Sequence, residues 1–279
     1  MNTNNINLVK QKKINDNKKL TQWIIKNNKP HKNEKIVGTN ILHNELIVFK
    51  NVNKFVTNGY SNVHILKDIN LKIKRGEFVV IYGPSGSGKT TLLSLISALD
   101  RPTSGFSYLF GKNTISLSNG QLTLLRKNYV GYIFQQYGLL KELSVYDNVK
   151  ITQNLQMDKR KRLDVNFLLK EVGLLELKNQ KASSLSGGQS QRVAICRALV
   201  KNPEVLFGDE PTGAVHIDAT KQILNIFKNI NKSLKTTIIL VTHNEKILQI
   251  ANRVIKVEDG RIVADYQNLN IKNCDEIDW

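Results

Sequence analysis

The chain has 279 residues, 41% of them hydrophobic, and 41 Lys and Arg against 23 Asp and Glu give it a formal charge of +18. That length can bury a sizeable core in one large domain or two small ones, and the apolar share excludes wholesale disorder. Two cysteines, Cys196 and Cys274, exclude a disulfide framework and point to a reducing compartment.

The basic excess admits nucleic acid, an anionic membrane surface or phosphorylated ligands, without choosing among them. No apolar run approaches the roughly 20 residues that span a bilayer. The basic N-terminus has no apolar stretch or small-residue cleavage site after it, so it does not read as a secretory signal. The expected place is the cytosol, with any membrane role reached through a partner.

Residues 1–45 are rich in Asn and carry nine lysines against Asp16, Glu34 and Glu45. They read as a solvated, largely disordered extension. The alternative is a basic amphipathic segment touching a membrane or partner through Ile14, Leu20, Trp23 and Ile24. From Leu46 the texture changes. Strands are expected at 46–49, 65–73, 78–82, 129–134, 205–207, 237–241 and 254–257, with a hairpin turn at Asp259-Gly260. Helices are expected at 90–99, 145–180, 190–201, 219–234 and 245–251. Strands alternating with helices make an α/β protein with a mainly parallel sheet.

Between the apolar strand 78–82 and the next helix lies Gly83-Pro84-Ser85-Gly86-Ser87-Gly88-Lys89-Thr90, followed by Thr91. It fits G-x-x-x-x-G-K-[ST], the Walker A pattern, in the strand–loop–helix setting that its mechanism requires. Glycines let the backbone wrap a phosphate so that successive N–H groups face its oxygens, and the helix N-terminus adds partial positive charge. Lys89 is placed to reach the β- and γ-phosphates, and the Thr90 hydroxyl to ligate Mg²⁺. Further on, a second apolar strand ends in Asp209-Glu210. Asp209 can hold the metal's shell from across the site, and Glu210 can polarise an attacking water as general base.

Leu185-Ser186-Gly187-Gly188-Gln189 repeats the first device, with glycines and a hydroxyl before a helix N-terminus. One chain then carries two phosphate-binding ends. They can meet on one nucleotide if two copies pack head to tail.

On these strings residues 46–264 resemble the ABC ATPases, whose signature is LSGGQ. The resemblance implies a P-loop NTPase core with an antiparallel β-subdomain and a small helical subdomain at about 136–184, ahead of a tail at 265–279. It implies that Gln135 senses Mg²⁺ and water, that His243 contacts the γ-phosphate, and that ATP and Mg²⁺ are the ligands. The strings Leu99–Gly105, Asp209–Gly213 and Phe134–Leu140 resemble the subunits that power lipoprotein release, macrolide or peptide export, and cell division. That implies an integral membrane permease as partner, a head-to-tail homodimer, membrane contact through the permease, and a place on the cytoplasmic face. Nucleic acid is not expected, since Thr91–Ser184 is too short for a coiled-coil insertion and there is one cassette. The competing readings are a soluble ABC ATPase acting on nucleic acid and a nucleotide-dependent scaffold at the membrane.

Two positions depart from the family. Its D-loop places Asp where this chain has His216, which puts coupling between the two sites in doubt. Its adenine-stacking aromatic matches Val56, leaving Phe55 or Tyr60 as substitutes. If no ring stacks on the base, GTP should compete well with ATP.

Overall fold

The computed structural model describes residues 44–57, 62–213 and 215–279. The N-terminal extension, Tyr60 and Ala214 lie outside the described residues. The chain from Asn44 to Trp279 forms one unit built on two sheets.

The first sheet is antiparallel, in the order β2-β1-β4-β5, with β1 at Glu45–Thr57, β2 at Asn62–Lys74, β4 at Ser104–Leu109 and β5 at Lys112–Asn113. The second has six strands in the order β10-β9-β3-β8-β7-β6. They are β3 (Phe78–Tyr82), β6 (Val130–Ile133), β7 (Val205–Asp209), β8 (Thr237–Thr242), β9 (Arg253–Glu258) and β10 (Arg261–Gln267). All pair in parallel except β10, which runs antiparallel along the edge.

Strands covered on both faces should be apolar throughout, and β3 and β8 are. Phe78–Ile81 and all of β8 are buried. The period of two then splits the core. Phe78, Val80, Leu206, Ile238 and Leu240 join the helices on one face. Val79, Ile81, Phe207, Ile239 and Val241 join α1 (Lys89–Ile96) and the antiparallel sheet on the other. Each such Leu or Ile contributes about 1.5–3 kcal/mol by leaving water.

The five parallel strands follow the sequence reading closely, β1 runs to Thr57, well past the expected 46–49, and two of the helical stretches correct it. The stretch at 145–180 is two helices, α3 (Val145–Leu155) and α4 (Val165–Glu171), with 3₁₀ turns at Lys159–Lys161 and Leu175–Leu177. Asp158 and Asp164 each cap a new start with a carboxylate, and Gly173 at φ +67° ends the second. The segment at 245–251 is a 3₁₀ helix, Glu245–Ile250.

The sequence reading missed β4, β5 and α2 (Asn119–Tyr129). The tail set apart from residue 265 is joined to the rest. Strand β10 crosses that boundary, and Cys274 and Ile277 lie in the core against α6 (Ile217–Leu234). The Lys228 ammonium donates to the Lys272 carbonyl at 2.8 Å.

Candidate functional site

The catalytic candidates lie where neighbouring parallel strands end. Tyr82 of β3 pairs with Thr242 of β8, Asp209 of β7 with Val241, and Ile133 of β6 with Gly208. The loop at 83–90, Gln135, Asp209-Glu210 and His243 therefore leave one edge of one sheet, the end at which open α/β sheets bind ligands.

The loop needs its glycines for room. A Cβ on Gly83 would lie 2.0 Å from the Val257 carbonyl oxygen, so no other residue passes there without a shift. On the outer side, a Cβ on Gly86 would meet nothing within 4 Å. Gly88, at φ +98°, precedes α1 in a left-handed conformation and offers no side-chain cap. The first amides of α1 are thus left to a ligand. The Ser87 hydroxyl is buried and has no partner in the protein. Pro84, Ser85 and Gly86 are exposed, and Thr91 is half-buried. This cradle, with an unspent hydroxyl in its wall, fits a phosphate chain.

One side-chain bond ties the cradle to the acidic strand end, and a second closes the cradle on itself. The Thr90 hydroxyl donates to Asp209 Oδ1 at 3.2 Å, and the nearly buried Lys89 donates from Nζ to the Pro84 carbonyl at 2.7 Å. Burial raises the Asp209 carboxyl above its ordinary pKa; the Thr90 hydrogen bond opposes this, Glu210 adds to it and Lys89 subtracts.

Next door, the His243 Nδ1–H donates to Glu210 Oε1 at 2.9 Å, with Glu210 largely shielded and His243 largely exposed. Glu210 sits at φ +48°, unusual for a residue with a side chain, and its amide is anchored on the Val241 carbonyl at 3.0 Å. Among the described residues no three His, Cys, Asp or Glu form a metal cage. Mg²⁺ typically takes one or two carboxylates together with substrate oxygens, and the paired Thr90 hydroxyl and Asp209 carboxylate suit that mode.

Gln135 is exposed on the loop after β6. The sequence reading overlooked Tyr132, one strand residue before that loop. Burial and the charge of Asp209 raise its hydroxyl pKa, and its ring packs on Phe134 and Phe207. The apolar texture of 129–134 concealed it.

The signature turn is built differently. Ser186 caps α5 (Gly187–Leu199) by accepting from the Gln189 amide at 3.3 Å, while the Gln189 side chain accepts from the Ser186 amide at 2.9 Å. Gly188 is required because α6 passes close: a Cβ there would lie 2.9 Å from that of Ala219. Arg192 binds the neighbouring elements, through the Val172 carbonyl at 3.1 Å and Gln222 at 3.0 Å. These bonds face the helices. The structure brings Lys89, Thr90, Asp209, Glu210 and His243 together, and leaves Ser186 and Gly187 exposed to the outside.

His216 is the N-cap of α6 and makes no side-chain cap bond. Phe55 stacks on His64, with centroids 3.9 Å apart, while Val56 faces Val63 across the strands, both exposed.

Residues 66–213 match the family model for the ABC transporter. A "Putative ABC transporter ATP-binding protein MG468.1 homolog" of Mycoplasma pneumoniae is 53% identical over 94% of this chain and 92% of its own length. The "Macrolide export ATP-binding/permease protein MacB" of Aggregatibacter actinomycetemcomitans is 42% identical over 82% of this chain, which spans only 36% of that protein. The chain likewise spans 56% of the MG065 homolog of M. pneumoniae. Among solved structures, a dimeric post-hydrolysis state of the ATP-binding cassette MJ0796, bound to ADP and Pi, superposes with a TM-score of 0.73. It is 35% identical and covers 80% of this chain and 98% of that one. With the phosphate cradle, the acidic strand end and the capped signature turn in one fold, the chain belongs to the ABC transporter family as its ATP-binding, ATP-hydrolysing cassette.

Proposed function

We propose that the chain drives a separate membrane permease of the export or mechanotransmission type, using Mg-ATP to close a head-to-tail dimer at the cytoplasmic face of the membrane. The observation that carries this reading is a site split in two. Everything needed for cleavage converges at the strand ends, while Ser186 and its glycines stay exposed on a turn bonded to the helices. A second copy supplies the missing wall. Among the described residues no helix is long and apolar enough to cross a membrane, so a membrane partner has to be another chain or segment. MacB, whose name joins ATP-binding and permease, supports that pairing.

In this reading the amides of 83–90 and Lys89 hold the phosphates, and Gly83, Pro84, Ser85, Gly86, Ser87, Gly88 and Thr91 shape the cradle. Thr90 and Asp209, with Gln135, would hold Mg²⁺, whose charge would be supplied to the phosphate oxygens when it is bound. Glu210 accepts the proton of the attacking water, and His243 fixes the carboxylate through Nδ1. Ser186, Gly187, Gly188 and Gln189 of the other copy close the far side.

The test uses Glu210→Gln, which keeps the shape and removes the base. General-base catalysis is worth about 10²–10⁴-fold, so turnover falls by at least 100-fold while ATP still binds. Light scattering then finds the variant dimeric in saturating ATP and monomeric without it. A monomer at saturating ATP overturns the reading.

A further inference from the structure

The chain that follows β10 returns to the segment that leaves His243. Directly after that histidine, Asn244 caps the 3₁₀ helix Glu245–Ile250. Its Oδ1 accepts from the Lys246 amide and its own amide donates to the Thr242 hydroxyl, both at 3.0 Å. Six residues is long for a 3₁₀ helix, whose hydrogen bonds are poorly aligned and which seldom runs past three or four. Ile247 and Ile250 bury their side chains in the core, but the last carbonyls run out of amides within the helix.

The tail supplies what is missing. The Asn268 side-chain amide donates to the Ala251 carbonyl at 3.1 Å, the Leu248 carbonyl at 3.3 Å and the Gln249 carbonyl at 3.4 Å. Two N–H groups thus serve three oxygens. The Asn268 backbone amide donates to the Asn252 carbonyl at 2.8 Å, and the Lys272 amide to the Gln249 carbonyl at 2.9 Å. Asn268 Oδ1 accepts from the Asn270 amide at 3.0 Å, which fixes the side chain with its donors toward the helix.

The tail is itself fastened to α6. Besides the Lys272 carbonyl, Lys228 reaches Asn273 Oδ1 at 3.1 Å. Asn273 and Glu276 close a capping box over Cys274–Glu276, and Trp279 Nε1 donates to the Cys274 carbonyl at 2.9 Å. Cys274 and Ile277 of the tail, Ile247 and Ile250 of the 3₁₀ helix and Phe227 of α6 belong to one apolar cluster.

We propose that residues 268–279 form a clamp on the segment after His243, with Asn268 as the positioning residue that keeps the imidazole on Glu210. The lever is short. His243 stands between Thr242, the last residue of β8, and the cap Asn244, so one side of its backbone is held by a sheet. The other side is held by a helix that is as firm as its carbonyl end. The inference rests on the role given to His243 in the proposed function for its purpose, though not for its physical test.

That test compares the purified full chain, Asn268→Asp and Lys228→Met by hydrogen exchange and histidine NMR without nucleotide, with ATP turnover in parallel. Asp keeps the shape and the acceptor for the Asn270 amide while removing the side-chain donors to the three carbonyls. Losing bonds of this kind speeds local exchange by about five- to tenfold. That increase is expected in 244–252 as well as 268–279, with 83–96 keeping wild-type protection. The His243 imidazole signal, assigned by its loss in His243→Ala, shifts as its bond to Glu210 is lost. His64, bonded to Asn53, keeps its signal. In turnover kcat falls about tenfold, part of the roughly 10²–10⁴ that general-base catalysis supplies. The KM for ATP stays within about twofold, because the phosphate cradle is untouched. Lys228→Met, which frees the tail from α6, gives the same pattern more weakly and decides the matter if Asn268→Asp does not fold.

The clamp is refuted if 268–279 loosens while 244–252 and the His243 signal stay as in the wild type. If both of those move and kcat does not, the role given to His243 fails, and the clamp's purpose falls with it. A wild-type chain without ATP turnover would sink the transport reading, and the exchange and NMR data would still decide whether the tail holds His243.

Discussion

Two helix N-termini in this molecule are the proposed phosphate-binding ends, and they are finished in opposite ways. Helix α1 begins after Gly88, left-handed and without a side-chain cap. Helix α5 begins after Ser186 with a complete capping box, in which Ser186 and Gln189 satisfy each other's amides. Free N–H groups at a helix start cost stability until something fills them. The first end therefore gives up stability to stay open to phosphate. The second satisfies part of its own demand and meets a ligand with fewer unspent donors. In the proposed reading the difference implies an order of events, in which nucleotide is taken first by the cradle and the signature of a second copy is recruited to it.

The sharpest way to break that comparison is at the metal side of the cradle. Asp209→Asn removes the carboxylate that the Thr90 hydroxyl meets, and turnover should fall at least about 100-fold. The same change should raise the apo melting temperature. The folded-state pKa of Asp209 lies above its unfolded value, mainly through burial, so ionising it opposes folding. Its favourable contribution is full below about pH 4, the unfolded value, and is lost as pH rises through the folded one. Asn has no such loss. Stability curves of the two proteins should thus converge on acidification and separate toward neutral pH, with the variant more stable. A variant less stable at neutral pH would mean that Asp209 is held by structure and not kept for a cation.

Ser186→Ala tests the other end. Losing an N-cap hydroxyl costs about 1 kcal/mol. A purely structural turn would show that loss and nothing more. The split-site reading adds a second effect: in a Glu210→Gln background, ATP-dependent dimerisation should weaken well beyond the stability change, with ATP binding to the monomer retained. Equal dimerisation with and without Ser186→Ala in that background would make the capping box the whole role of this serine.

How much of this was legible beforehand follows from where each residue's information resides. The cradle could be read because β3 is wholly apolar and the loop's glycines have a fixed spacing, both local facts. The mixed strand β4 could not. Its polar half conceals the alternation, and Gly105 earns its place only against Asn51, where a Cβ would lie 2.3 Å from the carbonyl oxygen. Helix α2 carried a readable sign that was passed over, since Ser118 and Gln121 form a full capping box. The continuous helix expected at 145–180 lacks its punctuation, because Asp158 and Asp164 cap new starts inside it. Arg197 was out of reach altogether. Arg197 bonds carbonyls some 60 positions away, and no local spacing announces such a contact.

The smallest expected effect concerns His216. The family's pattern implies Asp at this position, and the structure gives that preference a local meaning, because His216 is the N-cap of α6 and leaves the cap unmade. Its neighbour Asp218 supplies an acid in the first turn but stands two residues inside the helix. His216→Asp should add both a side-chain acceptor for the free amides and a negative charge at the positive end of the helix dipole, together about 0.5–1 kcal/mol. The melting temperature should rise by a few degrees, and added salt should erode the dipole's share of the gain. Helix α6 packs closely on Gly188 of the signature turn. A firmer start to α6 should therefore also steady that turn, and ATP-dependent dimerisation should strengthen slightly. If stability rises and dimerisation falls, the histidine is itself an interface residue, and the two helix ends are coupled more directly than their caps imply.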